Sequence, residues 1–333
     1  MATLSSNALT LADWAKRLDP EGKVPSIVEL LAQNNEILAD MQWIEGNLPT
    51  GHRTTVRTGL PTVAWRLLNQ GVQPSKSVTA QVDESCGMLE AWSEVDKDLA
   101  MLNGNTAAFR LSEAQALIEA MNQEMGQTVF YGNSGLAPEE FNGLSVRYSS
   151  LSAANGQNII NAGGAGSDNT SIWLICWGQQ TVHGIFPKGS KAGLIHEDLG
   201  EVTVETSAGI AGTRLRAYQD HWQWKCGVAL KDWRYAVRIA NIDVSNLVAK
   251  SSAADLIENM IKAIHRIPSL GMGKCAFYMN RTVKQMLDIQ RRDDVQTGGS
   301  LVYNDVDGKL IPSFRGIPIR TCDAILETEA TVA

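Results

Sequence analysis

Five cysteines and five histidines are the residues of this 333-residue chain best suited to hold a metal or attack a substrate. Cys86, Cys176, Cys226, Cys275 and Cys322 stand 90, 50, 49 and 47 positions apart, so no CxxC pair exists to grip zinc. Five scattered thiols imply reduced cysteines in a cytosolic fold, with no disulfide framework. His52, His183, His196, His221 and His265 are never three or four positions apart, so no helix presents a histidine pair to a metal. His221 lies five positions before Cys226, a weak pairing, and His52 suits a surface contact better than a ligand role. A phosphate-cradling loop needs GxxxxGK and then Ser or Thr; Gly273–Lys274 is followed by Cys275, and Pro268 stands where the first glycine belongs. Gly163, Gly164 and Gly166 lack dinucleotide-binding spacing, and Gly132–Asn133–Ser134–Gly135 misses the GxSxG elbow. The carboxylate neighbours Glu139–Glu140 and Asp293–Asp294 diverge on a helix and oppose on a strand, so neither forms an acid/base dyad. The expectation is a chain with no catalytic residue, no metal and no cofactor.

Tryptophan is the residue type in excess, with nine among 21 aromatic side chains. Trp14, Trp43, Trp65 and Trp92 fall where little local core is available. Tryptophan is enriched where one large rigid side chain fills a partner's pocket. The alternative is that these side chains fold back on their own body. The elements that would carry them read as projections. Residues 1–49 form an arm: a short helix follows Thr10–Asp13, residues 19–22 (DPEG) break it, and a second helix begins at Ser26 with Glu29 three positions on. Ile27, Leu30, Leu31, Ile37, Leu38 and Met41 keep one face of that helix. Two such amphipathic helices cannot bury both stripes on each other, so they need another surface. Residues 50–92 read as a long hairpin whose first limb, TGHRTTVRTG, has almost nothing large and apolar, and whose return limb runs from Ser77 to Trp92. A strand polar on both faces has no core to fix its register and lies on something else.

The remainder reads as a body. A capping box at Ser112 and Gln115 opens a helix over 111–125 that Gly126 ends. A Gly-, Ser- and Asn-rich stretch follows to Asp168. The run IWLICW at 172–177 predicts a fully buried strand, with further strands at 181–186, 201–205 and 215–230. Residues 233–244 alternate, placing Trp233, Tyr235, Val237 and Ile239 on one face and Arg234 and Arg238 on the other, as in a half-buried strand. Ser252 and Asp255 begin a helix, 275–279 form a strand, 282–291 a helix, 292–309 a polar loop and 314–326 a closing strand. The class is α+β, with a mixed sheet and a C-terminal α/β layer. At 44% hydrophobic and 20% charged, the chain is composed like a folded protein. A net charge of −7 disfavours an extended grip on nucleic-acid phosphates. With no basic n-region ahead of an apolar segment and no apolar run long enough to span a bilayer, synthesis in a cytoplasm and no membrane association are expected.

The ordered series of segments carries a resemblance. The arm and hairpin sequence LADWAKRLDPEGKVPSIVELLAQNNEILADMQWIEGNLPTGHRTTVRTGLP resembles tailed-phage major capsid proteins of the Hong Kong 97 fold, and is similar to those of short-tailed phages of the Bordetella phage type. GQTVFYGNSGLAPEEFNGLSVRY (126–148), DWRYAVRIANID (232–243), CAFYMNRTVKQML (275–287) and FRGIPIRTCDAIL (314–326) extend it over nearly the whole chain. The resemblance implies an N-terminal arm at 1–49, an extended loop (E-loop) at 50–92, a peripheral domain with a spine helix at 93–249 and an axial domain at 250–333, part of 126–170 being open to reassignment. It implies a structural protein of the virion, made in the host bacterial cytoplasm. The chain would assemble as hexamers and pentamers into an icosahedral shell around double-stranded DNA, without sequence-specific DNA binding. Further partners would be separate scaffolding, portal and decoration proteins. The expected subunit-interface residues are Trp14, Leu30, Leu31 and Trp43 in the arm, with Arg53, Arg57, Trp65 and Lys76 in the hairpin; Arg53 and Arg57 would pair with acidic groups of the next subunit. The competing readings are an encapsulin-like compartment shell and a cytosolic α+β enzyme.

Overall fold

The computed structural model describes residues 32–102, 106–205, 214–293, 301–306 and 309–333, with side chains described outside 291–311. The first part of the chain gives α1 (Ile37–Asp40), β1 (Trp43–Glu45), β2 (Gly51–Gly59), β3 (Val78–Ser85), β4 (Gly87–Asp96), α2 (Lys97–Met101) and α3 (Thr106–Tyr131). The middle gives α4 (Leu144–Arg147), β5 (Ile159–Asn161), β6 (Asn169–Trp177), β7 (Val182–Phe186), β8 (Leu194–Glu205), β9 (Arg214–Leu230) and β10 (Ala236–Asp243). The last part gives α5 (Val244–Ala249), α6 (Leu256–Arg266), β11 (Lys274–Met279), α7 (Arg281–Asp293), β12 (Leu301–Val306), β13 (Lys309–Phe314) and β14 (Ile317–Thr321).

Strand β6 organises the body. Every residue of it is buried, as the unbroken apolar run IWLICW predicts. Alternate side chains feed two cores: Trp173, Ile175 and Trp177 enter one, while Ile172, Leu174 and Cys176 enter the other. A strand covered on both faces has no polar side to show, which is why it does not alternate. The C-terminal half of α3 supplies Met125, Val129 and Phe130 to the first core; α6 and α7 supply Leu256, Met260, Val283 and Leu287 to the second. Asp255 caps α6 by accepting a hydrogen bond from the Glu258 amide at 2.8 Å, so this helix begins at Asp255 and not at Ser252. Beside β6 run β11 and β10, both antiparallel to it, and β14 continues parallel to β11. Through β7 the sheet passes to the long β9, which carries β4 and β8 along its two edges as a three-stranded ribbon.

Several expectations are corrected. The spine helix does not stop at Gly126 but continues to Tyr131. Glycine is needed there for closeness: an added Cβ would stand 2.9 Å from Asn35 Nδ2 and 3.2 Å from Ala324 Cβ. In the described part of the arm, the helical stretch expected through Met41 is the single turn α1, after which the chain turns extended into β1. The hairpin's return limb ends at Ser85; from Gly87 onward the chain leaves the hairpin and pairs with β9 over Gly87–Asp96. Residues 233–235 are a 3-10 turn, and β10 is covered on both faces, with Arg238 buried rather than facing solvent. Arg238 tolerates burial because its guanidinium donates to Glu329 Oε2 at 2.9 Å, to the Tyr148 carbonyl at 2.8 Å and to Ser171 Oγ at 3.0 Å. The stretch expected as a polar loop contains β12 and the start of β13, an antiparallel pair. The closing strand is confined to Ile317–Thr321.

Candidate subunit interface

Among the described residues β2 and β3 pair only with each other, giving a two-stranded ribbon separate from the body sheet. A ribbon of this kind has no packed face of its own and is marginal in water. Its root is therefore anchored firmly. Glu84, at the end of β3, is buried, and both its oxygens accept from Arg147 of α4, the Nη2 bond being 2.6 Å. The same guanidinium reaches the Asn142 and Val228 carbonyls at 3.2 Å each. Across the ribbon His52 faces Glu84, and its ring meets His183 of β7 edge-on with centroids 5.8 Å apart. His183 is fully buried, and neither ring nitrogen finds a hydrogen-bonding partner among the described residues. Burial, reinforced by Lys231 and His52, lowers its pKa to about 4, so the ring is neutral at ordinary pH.

Beyond the root, the ribbon carries only short-range support. Arg53 forms a bidentate pair with Asp83, directly opposite in register, at 2.6 Å for each bond. That hydrogen-bonded guanidinium holds the Asp83 carboxyl below the usual carboxylate range. The tip, residues 60–77, is irregular and is tied across by Ser75 Oγ donating to the Thr62 carbonyl at 2.8 Å. Its apolar side chains are exposed: Trp65 is 104% exposed, Leu68 89%, Val63 88% and Leu60 82%. One exposed leucine is ordinary, but a contiguous apolar tip ahead of a polar ribbon marks a surface built to be covered.

The expected interface residues separate into three groups. Trp14, Leu30 and Leu31 lie outside the described residues. Arg57, Trp65 and Lys76 are exposed on the hairpin, and Arg57 makes no ion pair among the described residues. Arg53 is exposed but already holds an acidic partner in its own ribbon. Trp43 is half-buried on its own body: its ring covers Gly184, where a Cβ would come within 2.6 Å of Trp43 Cε3, and sits 6.2 Å from the Trp224 ring. Trp92 is 50% exposed and stacks on His221 at 4.2 Å, on the outer side of the β4–β8–β9 ribbon. Sequence reasoning missed Leu60, Val63, Leu67 and Leu68, although the apolar run LPTVAWRLL inside a polar hairpin was a readable signal. It also missed the Glu84–Arg147 anchor, for which no local signal exists.

The platform behind the hairpin is tied together by a cluster of charged side chains. Arg110 of α3 bridges Asp198 at 2.6 Å and Asp220 at 2.8 Å, and His196 Nε2–H donates to Asp220 Oδ1 at 2.9 Å while the ring stacks on Trp222. Among the described residues no group of three or more His, Cys, Asp or Glu side chains could hold a metal ion. The arrangement presents apolar and charged side chains on a projecting ribbon; it can bury surface against another molecule.

The sequence model of the family described as Major capsid protein GP7 matches residues 19–333. No curated protein matches the chain. A solved chain of bacteriophage Epsilon15 is 35% identical, with 100% of this chain and 99% of that chain covered and a TM-score of 0.78. Looser likenesses, too weak to weigh, include the capsid of bacteriophage JBD30 (9% identity, 89% and 92% covered, TM-score 0.48) and the SrpI encapsulin of Synechococcus elongatus (13%, 71% and 97%, 0.42).

Proposed function

Because this chain belongs to the GP7 family of major capsid proteins, we propose that it builds its shell as hexamers and pentamers held together by the arm and the projecting hairpin. The coarser facts follow from membership: the chain is a structural subunit of an icosahedral phage capsid, located in the virion, with the Hong Kong 97-like α+β fold, and it is not an enzyme. The observation that carries the finer reading is the exposed apolar tip, with Trp65 uncovered on a ribbon that has no core. Such a tip is stable in an assembly only when a neighbouring copy covers it. In this reading residues 1–49 are the arm and the β2–β3 ribbon with its tip is the extended loop. Helix α3 with the β4–β8–β9 ribbon forms the peripheral part. The sheet around β6, with α5–α7, forms the axial part, so the boundary expected at 250 falls inside one hydrogen-bonded sheet, since β6 pairs with β11. Arg57, Trp65 and Lys76 are the hairpin residues assigned to the neighbour, and Trp43 shares only its exposed edge.

The contents of the shell are double-stranded DNA held without sequence-specific contacts. The net charge of −7 argues for containment rather than binding. Separate scaffolding, portal and decoration proteins complete the set of partners, and synthesis takes place in the host cytoplasm. The likeness to short-tailed phages of the Bordetella type rests on the arm and hairpin sequence. The test is to isolate particles, digest them with nuclease, and then extract nucleic acid. Protected double-stranded DNA and sixfold and fivefold capsomers in micrographs are the expected result. Particles that protect no DNA and instead enclose a co-expressed enzyme would overturn it in favour of a compartment shell.

A further inference from the structure

We propose that Cys176 and Cys275 form a reversible cross-strand disulfide when the protein leaves a reducing environment. The two residues lie directly opposite one another in the antiparallel β6–β11 pair, and their Sγ atoms are 2.7 Å apart. Directly opposed antiparallel residues hold their Cβ atoms about 4.5–5.5 Å apart. A disulfide spans about 3.5–4.5 Å between Cβ atoms. Closing the bond therefore asks only for a small approach of two strands that are already paired. The scattered spacing of the cysteines along the chain suggested five isolated thiols; the sheet brings two of them together across a separation of 99 residues.

Access is arranged on one side. Cys176 is buried, whereas Cys275 is half-buried at the start of β11, its Sγ 3.6 Å from the Leu270 carbonyl oxygen. The turn above it carries the exposed side chains Leu270 and Met272. A small oxidant can reach Cys275 first. With a low-molecular-weight disulfide as oxidant, Cys275 gives up the proton it donates to Cys176 as its Sγ attacks one of the two sulfurs, and a mixed disulfide forms as the first thiolate departs. The Cys176 thiolate then attacks Cys275 Sγ and expels the second. The protein loses two protons and two electrons; the oxidant is reduced to two thiols, which take up the protons. The product links the middle of the sheet to the strand that leads into the C-terminal layer. Closing so long a stretch of chain is where a crosslink restricts the unfolded state most.

The pair belongs to a single chain, so its test does not depend on how the subunits assemble. The purified full-length protein is incubated with oxidised glutathione, denatured, alkylated and digested for mass spectrometry. Expected are the loss of two of the five alkylatable thiols, a peptide linking Cys176 to Cys275, and recovery of both thiols with dithiothreitol. Oxidation should raise the unfolding midpoint of the wild type and of Cys86→Ser but not of Cys275→Ser. Cys86→Ser is the control because Cys86 adjoins Gly87, which faces Cys226 across β4 and β9. Five thiols still alkylated, glutathione retained on Cys275 without a crosslink, or a crosslink between Cys86 and Cys226 would each overturn the proposal.

Discussion

The imidazole of His183 is buried beneath the hairpin root, and burial, Lys231 and His52 together bring its pKa from 6.5 to about 4. The folded state thus refuses a proton that the unfolded chain accepts below pH 6.5. Stability is full above about pH 6.5 and is lost as pH falls toward 4, by up to about 3 kcal/mol. His52, lowered mainly by burial, adds in the same direction. Asp198, lowered chiefly by its hydrogen bond from Arg110, acts in a separate window below the usual carboxylate value. Denaturant unfolding at pH 7 and pH 5 should show this fall in the wild type and a shallower one in His183→Phe; equal slopes would rule His183 out as its source. The Glu84–Arg147 pair predicts an effect of similar size. Glu84→Gln leaves the partly buried Arg147 guanidinium without its countercharge, at a cost of about 3 kcal/mol. Hydrogen exchange should then accelerate throughout β2 and β3 before the rest of the chain. Residues of this kind are invisible to local sequence reading: Glu84 and Arg147 are 63 positions apart, and Arg238 and Glu329 are 91 apart. The exposure of Trp65 was legible because the hairpin's first limb, TGHRTTVRTG, is polar and offers no core.

At the scale of elements, Gly126 sets two effects against each other. Alanine is the better helix former by about 1 kcal/mol. Its Cβ would press on Asn35, whose Oδ1 is held by the Ala324 amide at 3.1 Å, and overpacking of that kind costs about 1–3 kcal/mol. Gly126→Ala should therefore lower the denaturant midpoint despite its propensity, and a raised midpoint would show that the contact yields freely. The same glycine explains why the helix looked finished at residue 125: a glycine at a helix end and one at a close packing point are identical in sequence. Periodicity served well where one physical cause dominated. The run IWLICW was legible as a doubly covered strand, and Asp255 as the start of a helix. It failed for β10, where the alternating arginine is neutralised by a carboxylate from the far C-terminus. It failed also for the hairpin's return limb, because the switch from β3 to β4 at Cys86 depends on where β9 lies.

For the whole molecule, the family was legible through the resemblance, and the family match over residues 19–333 agrees with it. The division into peripheral and axial parts at residue 250 is a proposal, and strands from both sides of that residue join one sheet. In the proposed assembly, the hairpin tip is where fold and assembly separate. Among the described residues Arg57 makes no ion pair and Trp65 is fully exposed, so Arg57→Glu and Trp65→Ala should unfold within about 0.5 kcal/mol of the wild type, as surface substitutions do. Trp43→Ala should behave differently. It uncovers Gly184 and part of the first core, and a loss of about 3 kcal/mol or more is expected in the subunit itself.

The most direct test is electron microscopy with size-exclusion chromatography of the wild type and Trp65→Ala, each co-expressed with its genomic neighbours, alongside their unfolding curves. Closed shells are expected from the wild type, and from Trp65→Ala a subunit of unchanged stability that forms none. Normal shells from Trp65→Ala, or a wild type that stays monomeric in that setting, would contradict the proposed assembly.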